Sequence, residues 1–287
     1  GDEVIVPNRT WIATAHAPLM LGAKVVLADV CSDLPLIDIS GVEQLITPAT
    51  KAIMPVHLGG RVVDMEALHR LAEKHGLLLI EDAAQAFGAD AGKLSIGQYS
   101  EAACFSLSVG KLISTGQGGV AVTRNKETYE RMKLIRTHGV TDVNNVTYTR
   151  PGFNFRFTDL QASVGMAQLH RAPKRIEHVK TIYSMYEQGL NDLDFVHLIP
   201  VAVRAGEIPL YIEVLCNDRD NFTAYLEGNG VETRPFYPDL NQAQYFSANN
   251  TFPNSMLFAS QGLYLPCGPA QPLENIDYVI SVIRSYS

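Results

Sequence analysis

The first half of the chain alternates short apolar, β-branched runs with segments of helical periodicity, and this alternation restricts the fold more than any other feature. Residues 4–6, 24–30, 52–56, 77–80, 103–107 and 120–123 read as strands. Between them, residues 10–21 carry helical apolar spacing. Asp64 caps a further helix, in which Met65, Leu68 and Leu71 recur at helical intervals and which stops at Gly76. Residues 126–138 form another, ended by Gly139. The run Leu77-Leu78-Leu79-Ile80 shows no polar alternation, which marks a strand covered on both faces. Strands and helices alternating at this pitch predict an α/β fold, a mainly parallel sheet with helices on both sides. Ligands of such sheets bind beyond the carboxyl ends of the strands.

The second half reads differently. Residues 141–150 are polar and β-prone, a loop or hairpin, and residues 159–169 and 172–190 read as two long helices. A strand at 210–215, a helix from about 218 to 226 and a last helix near 273–283 come next, giving an α+β unit. The expected division is a large α/β domain over 1–171, then a connecting helix and a small α+β domain over 172–287. Gly1-Asp2-Glu3 leads at once into an apolar strand, so the large domain is expected to be N-terminally incomplete.

A chain of 287 residues can build one large core and a smaller one. Its 23 Lys+Arg against 30 Asp+Glu leave a net charge of −7 with no basic block, which argues against a nucleic-acid partner. No signal peptide or membrane-length apolar span is present, so the expected location is the cytoplasm, away from membranes. Cys31, Cys104, Cys216 and Cys267 have no metal-ligand spacing, and no metal site is expected. Cys31 and Cys104 lie in or beside apolar runs and read as buried free thiols.

The chemistry concentrates around two segments, LLLIEDAAQAFGA and FSLSVGKLISTGQGG. Asp82 stands at the end of a buried strand, where a carboxylate is costly unless paired. Lys111 comes after another strand. A lysine that forms imines, with an aspartate facing a protonated ring nitrogen, is what pyridoxal phosphate chemistry requires. Gln85, three residues after Asp82 on one side of a helical turn, could donate to the ring's phenolic oxygen. Ser106 could bind a phosphate, with Ser108 a second candidate. Gly116, Gly118 and Gly119 would let backbone approach a ligand. Each residue has a plainer alternative: a solvated loop lysine, a capping or ion-paired aspartate, a surface glutamine, a serine bonded to its own backbone. Trp11, the only tryptophan, is either core or a flat surface against a ring. His57 is either structural or close to the site.

Five segments in order carry a resemblance: GDEVIVPNRTWIATAHAPLMLGAKVVLADV, KAIMPVHLGG, LLLIEDAAQAFGA, ACFSLSVGKLISTGQGGVAVT and PGFNFRFTDLQASVGMAQL. Together with GVETRPFYPDL and ASQGLYLPCGP, they resemble the DegT/StrS-type sugar aminotransferases over essentially the whole chain. The resemblance implies the aspartate aminotransferase fold and pyridoxal 5'-phosphate as cofactor. It makes Lys111 the lysine that carries the cofactor and Asp82 the partner of its ring nitrogen. Gln85 becomes the contact to the phenolic oxygen, Ser106 a phosphate ligand and Trp11 the stacking aromatic. Asn154, in GFNFR, matches an asparagine that reaches the phosphate of the neighbouring subunit's cofactor, which implies a homodimer with shared sites.

Two departures stand out. Relatives carry a preceding segment with a Gly-Thr turn that holds the cofactor phosphate. They also often have an aromatic and a proline where this chain has LSVG before Lys111. Some relatives have histidine in place of the lysine and act as dehydratases; Lys111 argues against that branch. The implied reaction moves an amino group from an amino acid, glutamate by default, to a keto-sugar, nucleotide-linked by default. A non-nucleotide keto-sugar such as a keto-octulosonate or cyclitol is an alternative substrate. A non-catalytic sensing or binding module on the same fold is an alternative function. Arg156, Arg234 and Tyr237 are candidates for contact with a substrate phosphate or sugar.

Overall fold

Apolar runs at the start of the chain assemble into one sheet. A computed structural model describes residues 1–286 except 90–95, 143, 145, 149 and 247–250, so part of the segment 141–150 lies outside the described residues. In chain order the first elements are β1 (Glu3–Pro7), α1 (Ala13–Met20), β2 (Lys24–Ala28), α2 (Ile39–Leu45), β3 (Thr50–Ile53) and α3 (Met65–His75). Then come β4 (Leu78–Asp82), β5 (Ala102–Ser106), β6 (Gly119–Val122), α4 (Lys126–Arg136) and α5 (Asp159–Leu190). The remainder is β7 (Val196–Leu198), β8 (Ile212–Cys216), α6 (Arg219–Gly228), β9 (Arg234–Pro235), α7 (Pro253–Gln261), β10 (Gly262–Leu265) and α8 (Leu273–Arg284).

Strands β1 to β6 form a sheet in the order β2-β1-β3-β4-β5-β6. Every neighbouring pair is parallel except β5 and β6. The two-residue period of β1 shows how the sheet is buried on both sides. Ile5 packs with Ile53, Leu68 and Leu79 on one face, whereas Val4 and Val6 pack with Ala15 and Leu27 on the other. Helix α3 begins where expected, because the Asp64 carboxylate accepts the Ala67 N–H at 3.0 Å. It ends at Gly76, whose φ of 64° is the left-handed conformation glycine adopts without strain.

The second sheet is antiparallel, in the order β7-β8-β10-β9. Its core joins Ile182 and Tyr186 of α5, Val214 of β8, Leu263 of β10 and Ile276 and Ile283 of α8. Here the sequence reading needs correction. The two helices expected at 159–169 and 172–190 are one helix of 32 residues with Pro173 inside it. Proline removes a single amide donor, and the buried side chains from Ala172 to Leu190 hold the helix through that gap. The division expected at 171/172 therefore falls inside α5. The expected strand at 210–215 runs from Ile212 to Cys216. Cys104 is exposed and Cys31 only partly buried, because the described residues do not close over them.

Two buried cations tie the sheets together. Arg61, after β3, pairs with Glu213 of β8, and both side chains are 1% exposed. Arg61 also donates to the carbonyls of Ile199 and Pro200 at 3.0 and 2.8 Å. Arg9 donates to Asp239 at 2.7 Å and to the Tyr237 carbonyl at 2.8 Å. Its guanidinium lies over the Phe236 and Tyr237 rings. Gly60 completes the junction. Its φ is 89°, and a Cβ there would sit 1.7 Å from the Ile208 carbonyl oxygen.

Removing one partner of such a pair leaves a buried charge unmatched, whereas removing both does not. Arg61→Met is expected to lower unfolding stability by about 3–5 kcal/mol. The double variant Arg61→Met/Glu213→Leu should recover most of that loss in urea titrations; an equal loss in both would show that charge burial is not what the pair manages.

Candidate active site

Strands β1, β3, β4 and β5 run parallel, so the segments after them meet at one edge of the sheet. A cavity of about 560 Å³ opens there. Trp11 reaches it from the segment after β1, Asp82 and Gln85 from the end of β4, Ser106 from the end of β5, and Lys111 from the loop beyond. Arg234, Tyr237 and Tyr264 line it from the second sheet, with Tyr211 just before β8. Five of the six residues to which the family resemblance gives a role thus share one cavity. Asn154 is not among its lining residues; it lies beyond α4, where its side chain accepts from Arg156 Nε at 2.8 Å.

Lys111 is anchored by the two residues after it. Leu112 packs against Val179, Ile208 and Leu210, and Ile113 against Leu107 and Ala172. Arg175 donates to the Leu112 carbonyl at 3.0 Å. The Lys111 amine is held below its ordinary range by burial, an effect partly offset by the negative Asp82. A lysine in this setting can lose its proton, as a nucleophilic amine must.

Asp82 is the last residue of β4. One oxygen, Oδ1, accepts the Ala84 N–H at 3.0 Å, and Oδ2 accepts from Thr14 at 2.6 Å. Gln85 lies in a succession of turns rather than a helix. Its Oε1 accepts the Gly59 N–H at 2.8 Å, so its NH₂ is the end left for the cavity. Ser106 donates to Ser108 Oγ at 3.1 Å and accepts the Ser108 N–H at 3.3 Å.

Trp11 is 58% exposed, which rules out the core alternative, and it meets Tyr237 edge-on at 5.8 Å. Burial raises the phenols of Tyr211, Tyr237 and Tyr264, that of Tyr237 to about 12. All three are therefore neutral hydroxyls at physiological pH. Sequence reasoning named only Tyr237 among them, because the short β10 and the segment before β8 carry no local signal of facing a site.

Three groups of candidates lie away from the cavity. His57 is fully buried and does not face the cavity. Its Nδ1 accepts the Val63 N–H at 3.2 Å, so Nε2 carries the proton and donates to Glu81 at 2.7 Å. Glu81 in turn accepts from the Gly97 N–H at 2.9 Å and from Ser100. Gly116, Gly118 and Gly119 do not line the cavity either. At Gly118, with φ of 147°, a Cβ would lie 2.5 Å from the Phe157 ring, so this glycine serves packing. Arg156 faces a separate, larger groove of about 860 Å³ beside β6 and α4, whose described lining has no carboxylate or histidine.

The chain is similar to known proteins. It is 34% identical over 291 residues to GDP-perosamine synthase of Caulobacter vibrioides, covering 99% of this chain and 78% of that protein. It is 34% identical over 293 residues to a dTDP-3-amino-3,4,6-trideoxy-alpha-D-glucose transaminase of Streptomyces venezuelae, covering 100% of this chain and 77% of that protein. Among solved structures, S. venezuelae DesV in complex with a ketimine intermediate superimposes with a TM-score of 0.93 at 33% identity, over 99% of this chain and 77% of that one. Helicobacter pylori PseC, an aminotransferase of pseudoaminic acid biosynthesis, superimposes with 0.93 at 26% identity, over 99% and 79%. A profile of the DegT/DnrJ/EryC1/StrS aminotransferase family matches residues 1–284, and the chain belongs to that family.

Proposed function

We propose that this chain moves an amino group from an amino-acid donor such as glutamate to the keto group of a nucleotide-linked sugar, in amino-sugar biosynthesis. The observation that carries the proposal is a desolvated amine, Lys111, sharing one cavity with the carboxylate of Asp82. Two of the relatives named above carry names of GDP- and dTDP-linked sugars, which favours a nucleotide-linked substrate over a free one.

Pyridoxal phosphate is the cofactor, and the donor set fits it. When bound, it supplies an electron sink for the carbanion left as a proton leaves the donor's α-carbon. Lys111 Nζ, as neutral amine, would take that proton and hand it on within the same half-reaction, and in the second half-reaction would carry a proton the opposite way, to the sugar carbon. Asp82 offers a carboxylate to the ring nitrogen and Gln85 an amide N–H to the phenolic oxygen. Ser106 offers a hydroxyl to the phosphate, and Trp11 a flat face to the ring. The protonated hydroxyls of Tyr211, Tyr237 and Tyr264, with Arg234, present donors on the side where a sugar would enter.

The active unit in this reading is a homodimer, in which Asn154 serves the partner's site. Its support is the exposed apolar surface around that residue: Phe153, Phe155, Leu160, Val164, Met166 and Leu169. The expected compartment is the cytoplasm, in keeping with four free cysteines. Among the described residues, no helix is long and apolar enough to cross a membrane.

With glutamate and a panel of GDP-, dTDP- and UDP-linked keto-sugars, mass spectrometry should detect an aminated nucleotide sugar. Lys111→Ala should reduce its formation on the order of 10³-fold or more while the protein stays folded; full activity in that variant would remove Lys111 from the chemistry. A pH series on the apoprotein checks the amine itself. Because burial lowers its pKa, labelling of Lys111 by trinitrobenzenesulfonate should rise with pH through a midpoint below the ordinary 10.5. Asp82→Asn removes an attraction for the ammonium form, so it should move that midpoint lower still; a rise would contradict the pairing. Sedimentation should show a dimer, and Leu160→Asp should shift it towards monomer.

A further inference from the structure

Thr14 and Thr10 have no place in the roles above, yet Thr14 touches Asp82, the residue at their centre, and Thr10 touches Thr14. The Thr14 hydroxyl donates to Asp82 Oδ2 at 2.6 Å. The hydroxyls of Thr10 and Thr14 are 3.0 Å apart, and the two residues are 1% and 3% exposed. A carboxylate only accepts, so Thr14 commits its one proton to Asp82. The bond between the hydroxyls must then run from Thr10 to Thr14. The result is a directed chain, Thr10 to Thr14 to Asp82, shielded from water.

The rest of Asp82 is held as firmly. Its Oδ1 accepts the Ala84 N–H, its own N–H donates to the Pro55 carbonyl at 2.9 Å, and its carbonyl accepts the His57 N–H at 3.0 Å. Among the described residues, Thr14 supplies the side-chain hydrogen bond to the carboxylate, and with the Ala84 N–H on the other oxygen it fixes the carboxylate's rotation. Hydrogen bonds to an ionised acceptor are short and strong, and a chain of them polarises its members.

We propose that Thr14, supported by Thr10, is a positioning residue. It fixes the orientation of Asp82 and thereby sets how firmly the cofactor's ring nitrogen keeps its proton. The proposal rests on the assignment of Asp82 to that nitrogen. A tie that merely fastens α1 to β4 would leave the nitrogen unaffected.

The test uses holoenzyme loaded with ¹⁵N-ring-labelled pyridoxal phosphate. Nitrogen NMR reads the protonation of the bound ring against pH, and steady-state kinetics run alongside. Thr14→Val, which keeps the shape and removes the hydroxyl, should let the nitrogen lose its proton at lower pH. It should also lower kcat on the order of 10-fold with little change in the KM for the sugar. Thr14→Ser should restore both. Thr10→Val should shift both in the same direction by less, and it decides the matter if Thr14→Val does not fold. A wild-type nitrogen titration in folded Thr14→Val, or in Thr10→Val should the former not fold, overturns the proposal. Asp82→Asn separates the two levels. If it too leaves the nitrogen unchanged, the assignment of Asp82 fails; if it shifts the nitrogen while the threonine variants do not, only the threonine chain fails.

Discussion

Four adjacent strands, β1, β3, β4 and β5, run in one direction, and the rest of the molecule depends on that constraint. Parallel strands end on the same edge, so the segments beyond them are brought together however far apart they lie in sequence. Trp11, Asp82, Ser106 and Lys111 meet for this reason. The second sheet closes the cavity from the other side, and it is held in place by Arg61 and Arg9. A buried ion pair gives little net stability, but once one partner is buried the other becomes obligatory. Specific placement of Arg234, Tyr237 and Tyr264 over the cavity comes from those junctions rather than from apolar packing alone.

Much of the large domain is legible in the sequence because its signals are local. The Asp64 cap, the Gly76 stop and the unbroken apolar run 77–80 each describe their own segment. The second half is harder. Strands β7, β9 and β10 have three, two and four residues, too few to show a period of two. Helix α5 continues through Pro173 because of buried side chains contributed by distant elements, and no local rule anticipates that. The short helices α2 and α7 span too few turns to show a helical period.

The site divides in the same way. Lys111 and Asp82 announce themselves by residue type and by position after a strand. His57 shares that position, yet its partner Glu81 makes it structural, and nothing in VHLGG distinguishes the two outcomes. The glycines after Lys111 look like a ligand cradle, but Gly118 is shaped by Phe157, about 40 residues on. Tyr211 and Tyr264 give no signal, because facing a cavity across a domain junction is a property of the assembled fold. Thr10 and Thr14 are separated by four residues leading into α1, a spacing that brings side chains together. The contact of Thr14 with Asp82, however, depends on where β4 ends.

The pairing of Glu81 and Asp82 has a consequence for β4 itself. Consecutive residues of a strand point to opposite faces, so two neighbouring acids in sequence are turned to opposite sides of the sheet. On one face Glu81 is enclosed by His57, Gly97 and Ser100 and belongs to the framework. On the other, Asp82 faces the cavity and remains available to a ligand. The strand acts as a partition, setting a structural acid and a chemical one a single residue apart on opposite faces.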